Sequence, residues 1–223
     1  MEHIEPLAHA HSSAQTLATN RLIRNTYTLL ALTLAFSAVT AGMSMLFELP
    51  FINPWIMLAV YFGLLFLTTK FRNSGMGIVC VFALTGFLGL TLGPILSLYL
   101  ALPNGSQLVM QALGATAFIF FALSGYALVS RKDFSFMGGF LFVGLLVAFF
   151  AGLAAIFFNM PTLMLAVSAA FVLLASGLIL FQTSAIVNGG ETNYIMATVT
   201  LYVSLYNLFT SLLHLLAAFS GDD

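Results

Sequence analysis

Seven long apolar runs dominate this sequence and limit what it can fold into. They cover about residues 26–47, 50–69, 76–100, 108–129, 134–158, 162–181 and 193–219. Each run is long enough to cross the hydrocarbon core of a bilayer as a helix, which takes about 20 residues. No run alternates apolar and polar residues with period two, so a membrane β-barrel is disfavoured. The sequence therefore predicts an all-α integral membrane protein with seven transmembrane helices.

The composition indicates the same surroundings. Of the 223 residues, 61% are hydrophobic and 6% are charged, whereas soluble domains use about 25% charged residues. The six Lys and Arg nearly balance the seven Asp and Glu, so no strong positive field attracts nucleic acid. We expect the lipid bilayer to be the medium of this chain, and no nucleic-acid partner.

The positive charges predict the orientation of the bundle. They precede the first run or join the second to the third and the fourth to the fifth: Arg21, Arg24, Lys70, Arg72, Arg131 and Lys132. With seven spans, all of these positions fall on the side of the N-terminus, which the positive-inside rule assigns to the cytoplasm. The C-terminus, with Asp222 and Asp223, is then expected on the opposite side.

Two regions are predicted along the chain. Residues 1–20 are polar, small and aperiodic, and are expected to form a flexible cytoplasmic tail. Residues 21–223 are expected to form one seven-helix transmembrane domain, because the turn-forming connections LPFINP, LPNGS, NMP and VNGGETN are all short. The tail carries His3, His9 and His11, but a flexible segment holds a metal poorly, so no metal site is expected there.

The sequence lacks the motifs that would indicate catalysis in a membrane. It contains no P-loop, HExxH, CxxC pair or GxSxG, and no pair of carboxylates inside an apolar run. We therefore expect no catalytic residues, no cofactor and no metal, and a protein that is not an enzyme. The one cysteine, Cys80, lies in an apolar run, so no intrachain disulfide can form.

Three glycines and a proline mark the third run. Gly86, Gly89 and Gly93 are spaced three and four residues apart and share one helix face, which lets another helix approach closely in a membrane. Pro94 has no backbone N–H and frees the carbonyl four residues earlier. One interpretation is close packing with a kink, and the other is a hinge or a carbonyl that faces a cation.

The last run carries a polar stripe. Its members are spaced four, three, four and three residues apart: Thr200, Ser204, Asn207, Ser211 and His214. At about 100° per residue they fall within an arc of about 80°. Tyr202, Tyr206, Phe209 and Leu213 occupy a different face, so this helix is predicted to be central in the bundle. The stripe either hydrogen-bonds to neighbouring helices or forms a polar path in which His214 is the one titratable group.

Several segments resemble one known family of membrane proteins. GFLGLTLGPIL at 86–96, RKD at 131–133 and GGETNYIMATVTLYVSLYNLF at 189–209 are similar to motifs of the Bax inhibitor-1 family, also called the transmembrane Bax inhibitor motif family. RNTYTLLALTLAFSAVTA at 24–41 and FFALSGYALVSRKDFSFMGG at 120–139 resemble its bacterial branch of modulators of the protease FtsH. The resemblance covers nearly the whole chain from residue 21 onward.

The resemblance implies both a fold and a role. The fold has seven helices with the last one surrounded by the other six, in a bacterial inner membrane, with a cytoplasmic N-terminus and a periplasmic C-terminus. The role is that of a non-enzymatic regulator, which binds the AAA+ zinc protease FtsH and restrains its degradation of membrane proteins. In that branch the protease engages the N-terminal tail.

Other members of the resembled family imply an alternative function. They are pH-sensitive calcium leak channels, whose sensor is a pair of aspartates on the last two helices. The corresponding stretches here are FQTSAI at 181–186 and LYVSLYNLF at 201–209, in which Gln182 and Ser204 stand at the positions of the acids. An amide and a hydroxyl do not titrate near neutral pH, so calcium is a partner only in this second interpretation.

Overall fold

A computed structural model describes the backbone of residues 5–220 and the side chains from residue 16 to residue 220. Residues 1–4 and 221–223, which include His3, Asp222 and Asp223, lie outside this part, as do the side chains of His9 and His11. The helices are α1 (Glu5–Leu46), α2 (Pro54–Phe71), α3 (Gly75–Leu100), α4 (Gly105–Ser130), α5 (Gly138–Phe157), α6 (Pro161–Val187) and α7 (Tyr194–Ser220), and a 3-10 turn, Ser135–Met137, precedes α5. All seven are long and apolar enough to cross a membrane, which confirms the predicted fold class.

The N-terminal segment differs from its prediction. The sequence predicts an aperiodic tail over residues 1–20, whereas α1 begins at Glu5 and continues into the first membrane span. Alanine, leucine and glutamine in this segment are strong helix formers, and a helix that extends an existing span avoids the costly nucleation step. The sequence prediction relied on the polarity of the segment and did not take this helical propensity into account. The division into a tail and a membrane domain stays a prediction.

The connections between helices fall where turn-forming residues predict them. The Asn53 side chain accepts a hydrogen bond of 2.9 Å from the Trp55 N–H at the start of α2. Pro54 and Pro161 begin α2 and α6. At the first position of a helix the backbone N–H has no partner within the helix, so proline loses no hydrogen bond there. Gly189 adopts a left-handed backbone with φ of 80° in the turn before α7. The helix α6 extends to Val187, beyond its predicted end near residue 181.

The two ends of the bundle differ in charge. One end, which we call the cation end, carries all six Lys and Arg of the chain, near the start of the first membrane span, in the last turn of α2 and in the α2–α3 and α4–α5 connections. Side-chain amides of the α6–α7 connection join it to the backbone of Arg72 and Lys132 there. At the opposite end, the Asn104 amide donates to the hydroxyl of Ser220. The start of α1 and the end of α7 therefore lie at opposite ends.

Helix α7 lies at the centre of the bundle. It contacts α1, α2, α3, α4 and α6, and Leu201, Tyr202 and Leu208 are no more than 1% exposed. The helix α5 is the exception, because within the described residues it has no contact with α7. The last helix is therefore central, as predicted, but five helices surround it and not six.

Helix α3 packs closely on α1 along its glycines. A Cβ atom at Gly86 would lie 2.6 Å from Phe36 Cε1, and one at Gly89 or Gly93 would collide with α1. The residues of α1 that those two glycines would meet are small as well: Ser37, Thr40, Ala41 and Ser44. Small residues on both helices bring the two backbones together, which is how helices gain van der Waals contact in lipid.

Pro94 lies inside α3 without ending it, and α1 supplies the missing donor. The N–H of a residue at this position would bond the Leu90 carbonyl, and proline has none. The Ser44 hydroxyl donates to that carbonyl at 2.8 Å. Ser44 also lies against Gly93, so the close approach at the glycine brings the hydroxyl within reach. The freed carbonyl is thus bonded within the protein.

Ser44→Ala should lower the free energy of unfolding by about 1 kcal/mol, because the Leu90 carbonyl loses its donor away from water. In a Pro94→Ala background the same substitution should cost much less, since residue 94 then has an N–H for that carbonyl. A double-mutant cycle of unfolding in detergent measures the difference. Thr40→Ala is the control, because the Thr40 hydroxyl bonds within its own helix. If Ser44→Ala lowered the free energy of unfolding equally with Pro94 and with Pro94→Ala, the Ser44 hydroxyl would not be replacing the backbone donor that Pro94 lacks.

Candidate functional site

The polar stripe of α7 bonds mainly to its own helix. The Ser204 hydroxyl donates to the Thr200 carbonyl at 2.8 Å, and the Asn207 amide donates to the Val203 carbonyl at 2.9 Å. Both are bonds to the residue one turn earlier, an option open to short polar side chains in a helix. These bonds of Ser204 and Asn207 therefore lie within α7, and the role of the stripe as a whole stays a prediction.

One stripe residue does reach another helix. His214 Nδ1 lies 2.8 Å from the hydroxyl of Ser168 on α6. This contact shows that the stripe side of α7 faces α6 near the opposite end of the bundle. Ser168 and Ser211 are buried, and His214, Thr200 and Asn207 are partly buried. The imidazole is therefore held by a neutral partner, which fixes its position without a charge.

The tyrosine face of α7 makes the bonds between helices. The Tyr202 hydroxyl donates to the Thr85 carbonyl of α3 at 3.2 Å and accepts a hydrogen bond of 2.6 Å from Ser37 of α1, since a hydroxyl has one proton to give. The Tyr206 hydroxyl lies 3.2 Å from Thr91 of α3. The central helix is thus tied to α1 and α3 by phenol groups.

Gln182 and Ser204 do not bond to each other. The Gln182 Nε2 atom has no hydrogen-bond partner among the described residues, and the Ser204 hydroxyl is given to Thr200. Because Ser168 pairs with His214 on antiparallel helices, Gln182 lies level with Thr200, about 6 Å along the axis from Ser204. Both residues are buried, at 6% and 1% exposure. The positions that the resemblance assigns to a sensor are adjacent here but hold no bonded pair.

Asn193 organises the connections at the cation end. Its Oδ1 accepts hydrogen bonds of 3.0 Å from the N–H groups of Ile195 and Met196 and so caps α7. Its amide nitrogen donates to the Arg72 carbonyl and to Asn73 Oδ1, both at 2.9 Å. A single side chain therefore begins the central helix and holds the α2–α3 connection against it.

Ser184 holds the α4–α5 connection against α6. Its hydroxyl donates to the Lys132 carbonyl at 2.9 Å and accepts from the Phe134 N–H at 3.0 Å. Asn188 adds a second bond to the Lys132 carbonyl, at 3.2 Å. Sequence reasoning treated VNGGETN only as a turn, although Asn at the start of a helical run is a capping signal that points to Asn193. The connections of the cation end thus form one hydrogen-bonded surface, which we call the loop face (residues 72–74, 131–134 and 188–193).

The described residues hold no group of three His, Cys, Asp or Glu side chains that could bind a metal ion. The acidic residues between residues 16 and 220 are Glu48, Asp133 and Glu191. Each of them lies in a connection between helices. Among the described residues, the chemistry offered inside the bundle is therefore that of hydroxyls, amides, one thiol and one imidazole, which suits packing and hydrogen bonding.

The comparison with known proteins identifies the family. The sequence profile described as Inhibitor of apoptosis-promoting Bax1 matches residues 19–221. The chain belongs to this family. The resemblance carried by the segments of α1, α3, α4 and α7 is thereby confirmed.

Three bacterial relatives in the Bax inhibitor family match most of this chain. The Escherichia coli (strain K12) protein named modulator of FtsH protease YccA is 52% identical over 213 residues, 96% of this chain and 97% of its own length. A second Escherichia coli protein (O6:H1, strain CFT073), named inner membrane protein YccA, matches to the same extent. An uncharacterized protein of Pseudomonas aeruginosa is 54% identical over 202 residues, 91% of each chain. With seven helices able to span a membrane, these relatives confirm the predicted location in the bacterial inner membrane.

In this member of the Bax inhibitor family, Tyr202→Phe should lower the free energy of unfolding by about 1 kcal/mol, because it removes bonds to both α1 and α3. Tyr206→Phe, which removes one bond, should cost less. Ser204→Ala should cost least, since its hydroxyl bonds only within α7. Unfolding in detergent followed by circular dichroism gives the order. A larger loss for Ser204→Ala than for Tyr202→Phe would mean that the stripe, and not the tyrosine face, holds the bundle.

Proposed function

We propose that this protein is a non-enzymatic regulator that binds the membrane protease FtsH and modulates its degradation of membrane proteins. The observation that carries the proposal is the 52% identity, over 96% of this chain, to the protein named modulator of FtsH protease YccA. Identity at this level extends through all seven helices and their connections.

The loop face supports a binding role at the cation end. Asn193, Ser184 and Asn188 tie three connections together by direct hydrogen bonds, so the surface presented there is held in one arrangement. The six Lys and Arg of the chain lie at this end, which the positive-inside rule assigns to the cytoplasm. We infer that the loop face is the surface nearest to the cytoplasmic domains of a membrane protease.

The length of α1 supports the N-terminal segment as the part that the protease engages. The helix has 42 residues, about 63 Å at 1.5 Å per residue, which is about twice the thickness of the hydrocarbon core. Its last residues lie at the opposite end, so the excess length extends from the cation end. An isolated helix is marginally stable in water, and a AAA+ protease can unfold and thread such a segment.

The alternative function, a pH-sensitive calcium leak channel, has less support. Gln182 and Ser204 occupy the positions of the sensor aspartates, and Glu48, Asp133 and Glu191 lie outside the helices. A calcium site takes carboxylate and carbonyl oxygens, and the carbonyl freed by Pro94 is bonded by Ser44. Calcium flux into dye-loaded liposomes that contain the purified protein would favour this alternative.

Raising the level of this protein should lengthen the half-life of an FtsH-dependent membrane protein, measured by pulse-chase, and FtsH should co-purify with it after crosslinking in native membranes. A variant without residues 2–15 should itself be degraded more slowly in cells that contain FtsH, because the threaded segment is gone. Another seven-helix protein at the same level controls for crowding of the membrane. An unchanged substrate half-life, together with no co-purification, would contradict the proposal.

The orientation can be tested with single cysteines in a Cys80→Ala background. A cysteine at Lys132 should be protected from an impermeant thiol reagent in intact cells, because the cation end faces the cytoplasm. A cysteine added after Asp223 should be labelled. Lysed cells, in which both positions should react, provide the control. Labelling of the Lys132 position in intact cells would reverse the orientation and remove the loop face from the reach of cytoplasmic domains.

A further inference from the structure

A layer of polar side chains crosses the bundle about one or two helical turns inside the cation end. We call it the polar layer, and it consists of Thr26, Tyr27, Ser124, Gln182, Thr183 and Thr198, from α1, α4, α6 and α7. Apart from Tyr27 these residues are buried. Thr183 lies four residues from the end of α6, and Ser124 lies six residues from the end of α4, which places them about 6–9 Å inside.

The hydrogen bonds of the polar layer are incomplete. The Thr183 hydroxyl lies 3.4 Å from both the Tyr27 hydroxyl and the Ser124 hydroxyl, which is long for a bond between hydroxyls. Thr26 Oγ1 is fully buried and Gln182 Nε2 belongs to a side chain that is 6% exposed, and neither has a partner among the described residues. Buried polar groups of this kind are completed by ordered water in folded proteins.

A polar pocket lies at the cation end above this layer. It has a volume of about 320 Å³, and its polar lining includes Thr19, Asn20, Arg131 and Asn188. Ile23, Leu128 and Val187 also line it, and we call these three residues the apolar ring. Each ring residue is four positions from a member of the polar layer, namely Tyr27, Ser124 and Thr183. Residues four apart share a helix face, so the ring separates the pocket from the layer.

We propose that the pocket, the apolar ring and the polar layer form a gated path for water from the cation end into the bundle. Water in the pocket passes the ring when its side chains change rotamer, and completes the hydrogen bonds of Thr26 and Gln182. The mouth has Arg131, and no carboxylate is among its described lining residues. A positive charge at the mouth disfavours cations, so the path takes water and small neutral hydrogen-bonding molecules.

The composition of the polar layer agrees with a neutral ligand. Its six members offer hydroxyls and one amide, without a carboxylate, a thiol or an imidazole, so they provide no charge to hold an ion. The path does not depend on binding to a protease, and its test is separate from that of the proposed function.

Ser124→Cys in a Cys80→Ala background reports on access to the layer. A small neutral methanethiosulfonate should modify it on the order of tenfold faster than Ala112→Cys, because a polar reagent enters a wholly apolar site with difficulty. Ala112 is the matched control, since it lies on the same helix, is 0% exposed and packs in an apolar cluster. Thr183→Cys gives a second reporter of the same layer.

The ring should control the rate of this reaction. Leu128→Trp should slow modification of Ser124→Cys and Leu128→Ala should speed it, whereas Val129→Trp, at a neighbouring position that is 86% exposed, should leave the rate unchanged. A positively charged reagent of similar size should react more slowly than the neutral one, and Arg131→Gln should reduce that difference. The proposal would be overturned if Ser124→Cys and Thr183→Cys were both modified as slowly as Ala112→Cys. It would also be overturned if substitutions of Leu128 did not change the rate.

Discussion

Polar groups inside this bundle need hydrogen-bond partners that the surrounding lipid does not supply, and much of the structure follows from that requirement. An amide or hydroxyl left without a hydrogen bond in hydrocarbon destabilises the fold. Pro94 removes a donor from α3, and Ser44 of α1 replaces it. Ser204 and Asn207 turn back onto their own helix, while Tyr202 reaches two neighbouring helices at once. Close packing and hydrogen bonding are therefore coupled, because Ser44 reaches Leu90 only where Gly93 lets the helices meet.

The sequence predicts the spans well and the partners of polar side chains poorly. Runs of about 20 apolar residues have few other solutions in lipid, and Pro and Gly mark the connections. A helical stripe such as Thr200 to His214 shows which residues share a face, but not whether a hydroxyl bonds across or back to the carbonyl one turn earlier. That choice depends on which neighbouring helix is close enough. For Tyr202 it depends on the position of α1, because its partner Ser37 lies 165 residues earlier in the chain.

The N-terminal segment shows a second limit of sequence reasoning. Its polarity predicts a separate tail, whereas the backbone from Glu5 onward is helical. Whether it is helical depends on the span that follows, because the nucleation cost is already met there.

Gln182 shows a third limit. The resemblance places it at a sensor position that lacks its acid. Its Nε2 atom has no partner among the described residues, and this and its place in the polar layer become visible only when four helices are assembled.

Under the proposed function, the route of a pulling force explains how this chain delays a protease. Force applied to the N-terminal segment acts on α1, which packs along α3 through glycines and is bonded to the central helix by Ser37 and Tyr202. Extraction of α1 would break the bond from Ser44 to Leu90 and expose the Thr26 carbonyl, to which Thr198 of α7 donates at 3.2 Å. Each step leaves polar groups unbonded in hydrocarbon, so the cost rises before any span leaves the bilayer. A segment that is easy to engage, attached to a bundle that is hard to unravel, occupies the entrance of the protease and keeps other membrane proteins out.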